Sequence, residues 1–187
     1  MKKLFAVLLI LALILPVAAP AESYTPVLGM NMQEFLNKYN AVSAPLGSPY
    51  RKLENPIQWT KYDEYNAAMF MPTNTIIMLL MTKQKNIATT TVSGLDCVAI
   101  MSTNNDDMVD LISVTLRVLE LFTDNLFGVS VGSFRLSQVI RYYYENNCKT
   151  DTGYAYWELD EEKTKVLGLS KAGEGYMFVI GSLEDMR

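Results

Sequence analysis

The sequence predicts an α+β fold, a mainly antiparallel sheet with about three helices packed on it. Three observations lead there. Tyr154–Ile180 reads as three short strands divided by polar and glycine turns. The stretches 31–44, 106–122 and 134–147 carry apolar residues at helical spacing. The strands also come in groups rather than alternating one by one with helices, which favours hairpins over parallel crossovers.

Residues 22–30 lack periodicity and read as an arm. Asn31 stands three residues before Glu34, a capping-box spacing with asparagine in place of Ser or Thr. Met32, Phe35, Leu36 and Tyr39 follow on one helical face, and Pro45 and Gly47 end the helix. Residues 48–58, with Pro49 and Pro56, read as a loop. Gln58–Met71 reads as one extended run rich in Trp, Tyr, Met and Phe. Thr75–Thr82 is a strongly apolar strand, and Ile87–Ser93 is a β-branched strand returning beside it. Leu95–Ser102 either continues that strand past Gly94 or forms a further one.

Asp106, Asp107 and Asp110 open the second helix, where acids suit the positive end of the helix dipole. Its core face is expected to hold Met108, Leu111, Ile112, Leu116, Leu119 and Phe122, widened by Val109, Val114, Val118 and Leu121. Its β-branched residues leave a strand as the alternative. Ser133 can cap the third helix, with Leu136, Val139, Ile140 and Tyr143 facing the core. A helix followed by three strands occurs near 31–93 and again near 134–180, a faint suggestion of duplication without a residue-level repeat.

The chain starts MKKLFAVLLILALILPVAAPA: two lysines, an apolar run Leu4–Leu15, Pro16, then small residues ending in Ala19-Pro20-Ala21. This is the form of a cleaved secretory signal, residues 1–21, and the run is short for a membrane span. The expected mature chain, residues 22–187, is a single domain with no stable membrane span, exported to the cell envelope, periplasm or medium. Its 14 Lys+Arg (16 less Lys2 and Lys3) against 20 Asp+Glu give a net charge near −6. No basic block is present, which argues against nucleic acid as a partner. In an exported chain, Cys97 and Cys148 suggest one disulfide, worth about 4 kcal/mol on the chain-entropy model. Two buried thiols are the alternative.

The chain contains no histidine. This removes the usual neutral-pH base and the commonest zinc and copper ligand. Gly128-Val129-Ser130-Val131-Gly132 matches the nucleophile elbow, but without histidine the Ser-His-Asp triad cannot be assembled. The acids at 106, 107 and 110 and at 160, 161 and 162 lack the calcium-loop rhythm and read as a helix start and a hairpin turn. No catalytic residue, metal or cofactor is assigned.

The remaining feature is aromatic. On a helix Tyr142, Tyr143 and Tyr144 point about 100° apart, so with Tyr143 in the core the other two flank it. On the next strand Tyr154 and Tyr156 share a face and Trp157 takes the other. Tyr142, Tyr144, Tyr154 and Tyr156 are the candidate partner-binding residues, with packing between helix and sheet as the plain alternative. The leading expectation is a non-catalytic binding module for a protein or cell-envelope component. The alternatives are an extracytoplasmic hydrolase using carboxylates or a Ser–Lys pair, and a structural subunit of an envelope assembly.

Overall fold

The computed structural model describes residues 24–44, 49–62, 64–84, 93–103, 107–122, 131–147, 154–159 and 164–182. Its elements are α1 (Met32–Ser43), β1 (Gln58–Tyr62), β2 (Tyr65–Phe70), β3 (Ile76–Thr82), β4 (Cys97–Ser102), α2 (Met108–Glu120), α3 (Val131–Tyr142), a π-helical turn (Tyr143–Asn147), β5 (Tyr154–Glu158), β6 (Val166–Ala172) and β7 (Gly175–Gly181). The strands form one seven-stranded sheet in the order β1-β2-β3-β4-β7-β6-β5. Every neighbouring pair is antiparallel. The α+β expectation holds.

The helices lie on one face of this sheet. Alternate strand residues point to that face, as the pleat requires. Phe70, Ile76, Met78, Leu80, Val98, Ile100, Leu169, Phe178 and Ile180 join Phe35, Leu36, Leu111, Val114, Val118, Val139 and Tyr143 in the main core. The opposite face carries a second, smaller cluster of Tyr65, Ala67, Met81, Cys97 and Ala99, with Leu79, Met177 and Val179 against it. All of those residues come from strands.

Two local rules explain α1 and the C-terminal meander. The Asn31 side chain accepts from Glu34 N at 2.8 Å, so the expected cap is present. Glu34 also pairs with Lys38 one turn on, at 2.8 Å. Between β6 and β7, Ala172 faces Gly175, leaving a two-residue turn in which Gly173 has φ +61°. Only glycine takes that conformation without a Cβ penalty. Gly175 is required for a different reason. A Cβ there would sit 2.6 Å from Ser102 O and 2.8 Å from Ser102 Oγ, at the end of β4. Gly175→Ala is expected to cost about 1–3 kcal/mol by forcing β4 and β7 apart. The check is a lower denaturation midpoint with unchanged slope.

The structure revises several expectations. Gln58–Met71 is not one strand but the β1–β2 hairpin, in which Tyr62 faces Tyr65. The residues between them in the sequence, Asp63 and Glu64, include no glycine, proline or asparagine to divide the run. The expected strand Ile87–Ser93 falls on residues that, except for Ser93, lie outside those described. β4 is a strand in its own right, paired directly to β3. Residues 108–120 are helical, so the strand alternative fails. The buried side of α2 is rotated from the expected stripe: Leu111, Val114, Thr115, Val118 and Leu119 are buried, whereas Val109 is 75% exposed. Leu136, Val139 and Tyr143 are buried as expected, and Ile140 packs partly buried against the core.

The suggestion of duplication does not survive the topology. β3 and β7 are both antiparallel to β4 and therefore run the same way. Along the chain both meanders step towards β4, from opposite edges of the sheet, with helices on the same face. The two units are of opposite hand, and no rotation superposes them.

The arm before α1 is fixed by a buried carboxylate. Asp96, 1% exposed, accepts from Val27 N at 3.1 Å, from Lys83 N at 2.6 Å and from the Tyr24 hydroxyl. Backbone bonds Leu28 N to Leu95 O (3.0 Å) and Leu95 N to Met30 O (2.9 Å) continue the attachment. Burial, then the Asp96 carboxylate, pushes the Tyr24 phenol up to about 12. A phenol raised above its unfolded value of roughly 10 stabilises the fold fully below that pH and loses the contribution as pH climbs to 12. Tyr24→Phe is therefore expected to remove a stability loss seen between pH 10 and 12. Parallel curves for the two proteins would contradict this.

Candidate functional site

The sequence-predicted tyrosines lie on two sides of the sheet. α3 runs over β5 and β6, and its helical ladder widens into the π turn at Tyr143. Such turns admit an extra residue and recur at functional sites. Here the turn keeps Tyr143 1% exposed in the core while Tyr142 is 48% and Tyr144 47% exposed. Tyr143 meets Tyr144 edge-on at 5.9 Å and Tyr176 edge-on at 6.0 Å. Tyr144 also lies 6.4 Å from Tyr176. Tyr144 is thus packed on an aromatic base of Tyr143 and Tyr176, which restricts its motion. Arg141 and Glu145, paired at 2.8 Å, lie on the same surface segment.

Tyr156 is 44% exposed, but Ala155 and Trp157 on either side of it face the helices. Tyr156 therefore points to the helix-free face, away from Tyr142 and Tyr144. Tyr154 opens β5, and its side chain lies outside the described residues. The four tyrosines do not form a single patch.

Cys97 is buried on the helix-free face. Cys148, its partner in the expected disulfide, lies outside the described residues. Intact mass before and after reduction tests the pairing: a gain of two hydrogens supports it, and no gain removes it.

Ser130, Asp106 and the acids at 160–162 lie outside the described residues. Asp107 and Asp110 sit at the start of α2, and Asp107 makes no side-chain cap bond there. No group of three or more His, Cys, Asp or Glu residues able to hold a metal occurs among the described residues. No described helix is long and apolar enough to cross a membrane.

Sequence reasoning missed a polar cluster between α1 and α2. Tyr39 and Ser43 lie one turn apart on α1, on its buried side. Arg117 comes from α2, and its guanidinium carbon stands 3.4 Å from the centre of the Tyr50 ring. Asn40 holds the Tyr50 loop in place: its amide donates to Leu53 O at 2.7 Å and accepts from Leu53 N at 2.8 Å. Tyr39 is fully buried and Ser43 is 5% exposed, while Arg117 and Tyr50 are partly buried. Tyr39 Oη, Ser43 Oγ and Arg117 Nη1 are buried with no hydrogen-bond partner among the described residues. Burial pushes the Tyr39 hydroxyl above its ordinary value, and Ser43 and Arg117 pull the other way. Hydrogen bonding from Ser43 and Arg117 is part of that pull on Tyr39, but none of the three atoms makes a bond of full geometry to another. Each such atom costs about 1–3 kcal/mol. An arginine between Leu116 and Val118 in a largely apolar helix was the only signal in the sequence, and it needed the α1–α2 packing to acquire meaning.

Comparison with protein-family models, with curated proteins and with solved structures gave no match for this chain.

Proposed function

We propose that the protein is exported and acts as a non-catalytic binding module for a protein or cell-envelope component outside the cytoplasm. The observation that carries this reading is the exposed pair Tyr142 and Tyr144 on either side of the buried Tyr143, with Tyr144 packed edge-on against it. Tyrosine offers a large apolar area with a polar tip and loses little conformational freedom on binding. For Tyr144 the pre-packed base lowers that loss further. The export reading rests on the signal-like start of the chain, and an intact mass beginning at Glu22 supports it. To test the binding reading, a photoreactive phenylalanine analogue is placed at 142 or 144 in the producing cell. A discrete crosslinked product is expected at these positions and not at Val109, which is also exposed. No product at 142 and 144, or the same product at 109, overturns the reading.

A second reading, an assembly subunit, is favoured by the helix-free sheet face. Met69, Ile77, Leu79, Met101, Met177 and Val179 hold outward register positions there, with no ionisable side chain among them. A face of this kind suits a second copy of the chain packed sheet to sheet, about 10 Å away. Sedimentation velocity of wild type and Leu79→Lys tests it. A dimer reduced to monomer by the lysine supports it, and a wild-type monomer removes it.

A further inference from the structure

We propose that Tyr39, Ser43 and Arg117 form a binding site for an oxyanion, the carboxylate or phosphate group of a small ligand. The site lies between α1 and α2 and uses none of the tyrosines assigned to partner binding, so either proposal can fail alone. Three facts combine. First, a guanidinium N–H, a phenol and a hydroxyl meet here, each able to donate and each with a buried atom that makes no bond of full geometry to a described residue. Second, Arg117 makes no salt bridge with any described residue, so its charge lacks an acidic counterpart. A buried guanidinium nitrogen needs a compensating acceptor, and an oxyanion supplies several. Third, the guanidinium is stacked flat on Tyr50. Stacking satisfies its face and leaves its edge, which carries the N–H fork that recognises carboxylate and phosphate. Tyr39 and Ser43 form the floor, whereas Arg117 and Tyr50 reach the surface and provide the entrance.

An internal ion pair does not explain the cluster, because no salt bridge joins Arg117 to a described acid, and the partly buried Asp107 at the start of α2 leaves one oxygen unpartnered among the described residues. A pure cation–π clamp accounts for Arg117 and Tyr50 but not for the two buried hydroxyls beside them.

The test uses sodium phosphate and sodium acetate as probes, against sodium chloride at matched ionic strength, with the full mature protein. Wild type is expected to show a saturable rise in melting temperature with at least one probe. Arg117→Gln is expected to abolish the response. Ser43→Ala and Tyr39→Phe, which change little volume, are expected to weaken binding by about fivefold or more. Tyr39→Phe should also leave the ligand-free protein at least as stable as wild type, since it removes an unsatisfied buried hydroxyl. A response to phosphate alone assigns a phosphoryl ligand, and a response to acetate alone assigns a carboxylate. No saturable response to either probe overturns the proposal, as does undiminished binding by both Ser43→Ala and Tyr39→Phe.

Discussion

Asp96→Ala is expected to destabilise the protein by about 3–5 kcal/mol, because hydrogen bonds to a charged group contribute roughly 1.5–3 kcal/mol each and three are lost. The estimate is kept below the sum because the donors share one carboxylate and Val27 and Lys83 are only partly buried. The loss has two parts. The Val27 and Lys83 amides lose their acceptor. The arm from Tyr24 to Asn31 also loses its main anchor beside β4. For a domain of this size the melting temperature should fall by roughly 10–15 °C. Amides of residues 24–31 should lose exchange protection at the same time. Asp96→Asn keeps one acceptor oxygen and should lie between wild type and alanine. A change below about 1 kcal/mol for alanine would mean that the arm is held by its backbone bonds alone.

The second large effect separates core from surface within one triplet. Tyr143→Ala is expected to cost about 3–5 kcal/mol, the range for removing a large buried aromatic ring. It removes the ring on which Tyr144 and Tyr176 pack and opens a cavity under α3. Tyr142→Ala and Tyr144→Ala are each expected to stay within about 0.5 kcal/mol of wild type, as exposed substitutions usually do. Urea denaturation of the three variants under one set of conditions makes the comparison. Similar losses in all three would mean that the flanking tyrosines are structural too.

The elements that were legible in the sequence share a local cause. The C-terminal meander is punctuated by Gly173 and the 160–163 polar turn, and α1 is announced by Asn31. In α3, the spacing of Leu136, Val139 and Tyr143 is enough to identify the core stripe. The β1–β2 hairpin was hidden because the residues between its strands include no glycine, proline or asparagine, and the single Asp63 is a weak signal inside an aromatic-rich run. The face of α2 was misjudged by about one residue because its apolar positions spread round most of the helix, so periodicity alone could not fix which side is buried. Val109 shows the ambiguity most clearly.

The sites divide in the same way. That Tyr143 is core and its neighbours are exposed follows from helical geometry. That Tyr156 faces away from them depends on which side of the sheet the helices cover, a tertiary fact. The pairing of Cys97 with Cys148 is inferred from cysteine number and export; the fold adds that Cys97 lies on the face opposite Val98 and Ile100, and Cys148 lies outside the described residues. Asp96 and Arg117 are charged residues set in apolar stretches. Each marks a place where the fold must supply partners, but the sequence does not name them.

The most direct test of the binding account is the double variant Tyr142→Ala/Tyr144→Ala, measured for stability and for crosslinking to its partner in the producing cell. A photoreactive residue at Glu145, on the same exposed turn, reports the contact without replacing either tyrosine. The account predicts unchanged stability within about 1 kcal/mol and loss of the crosslinked product. An intact product in a stable double variant would contradict it.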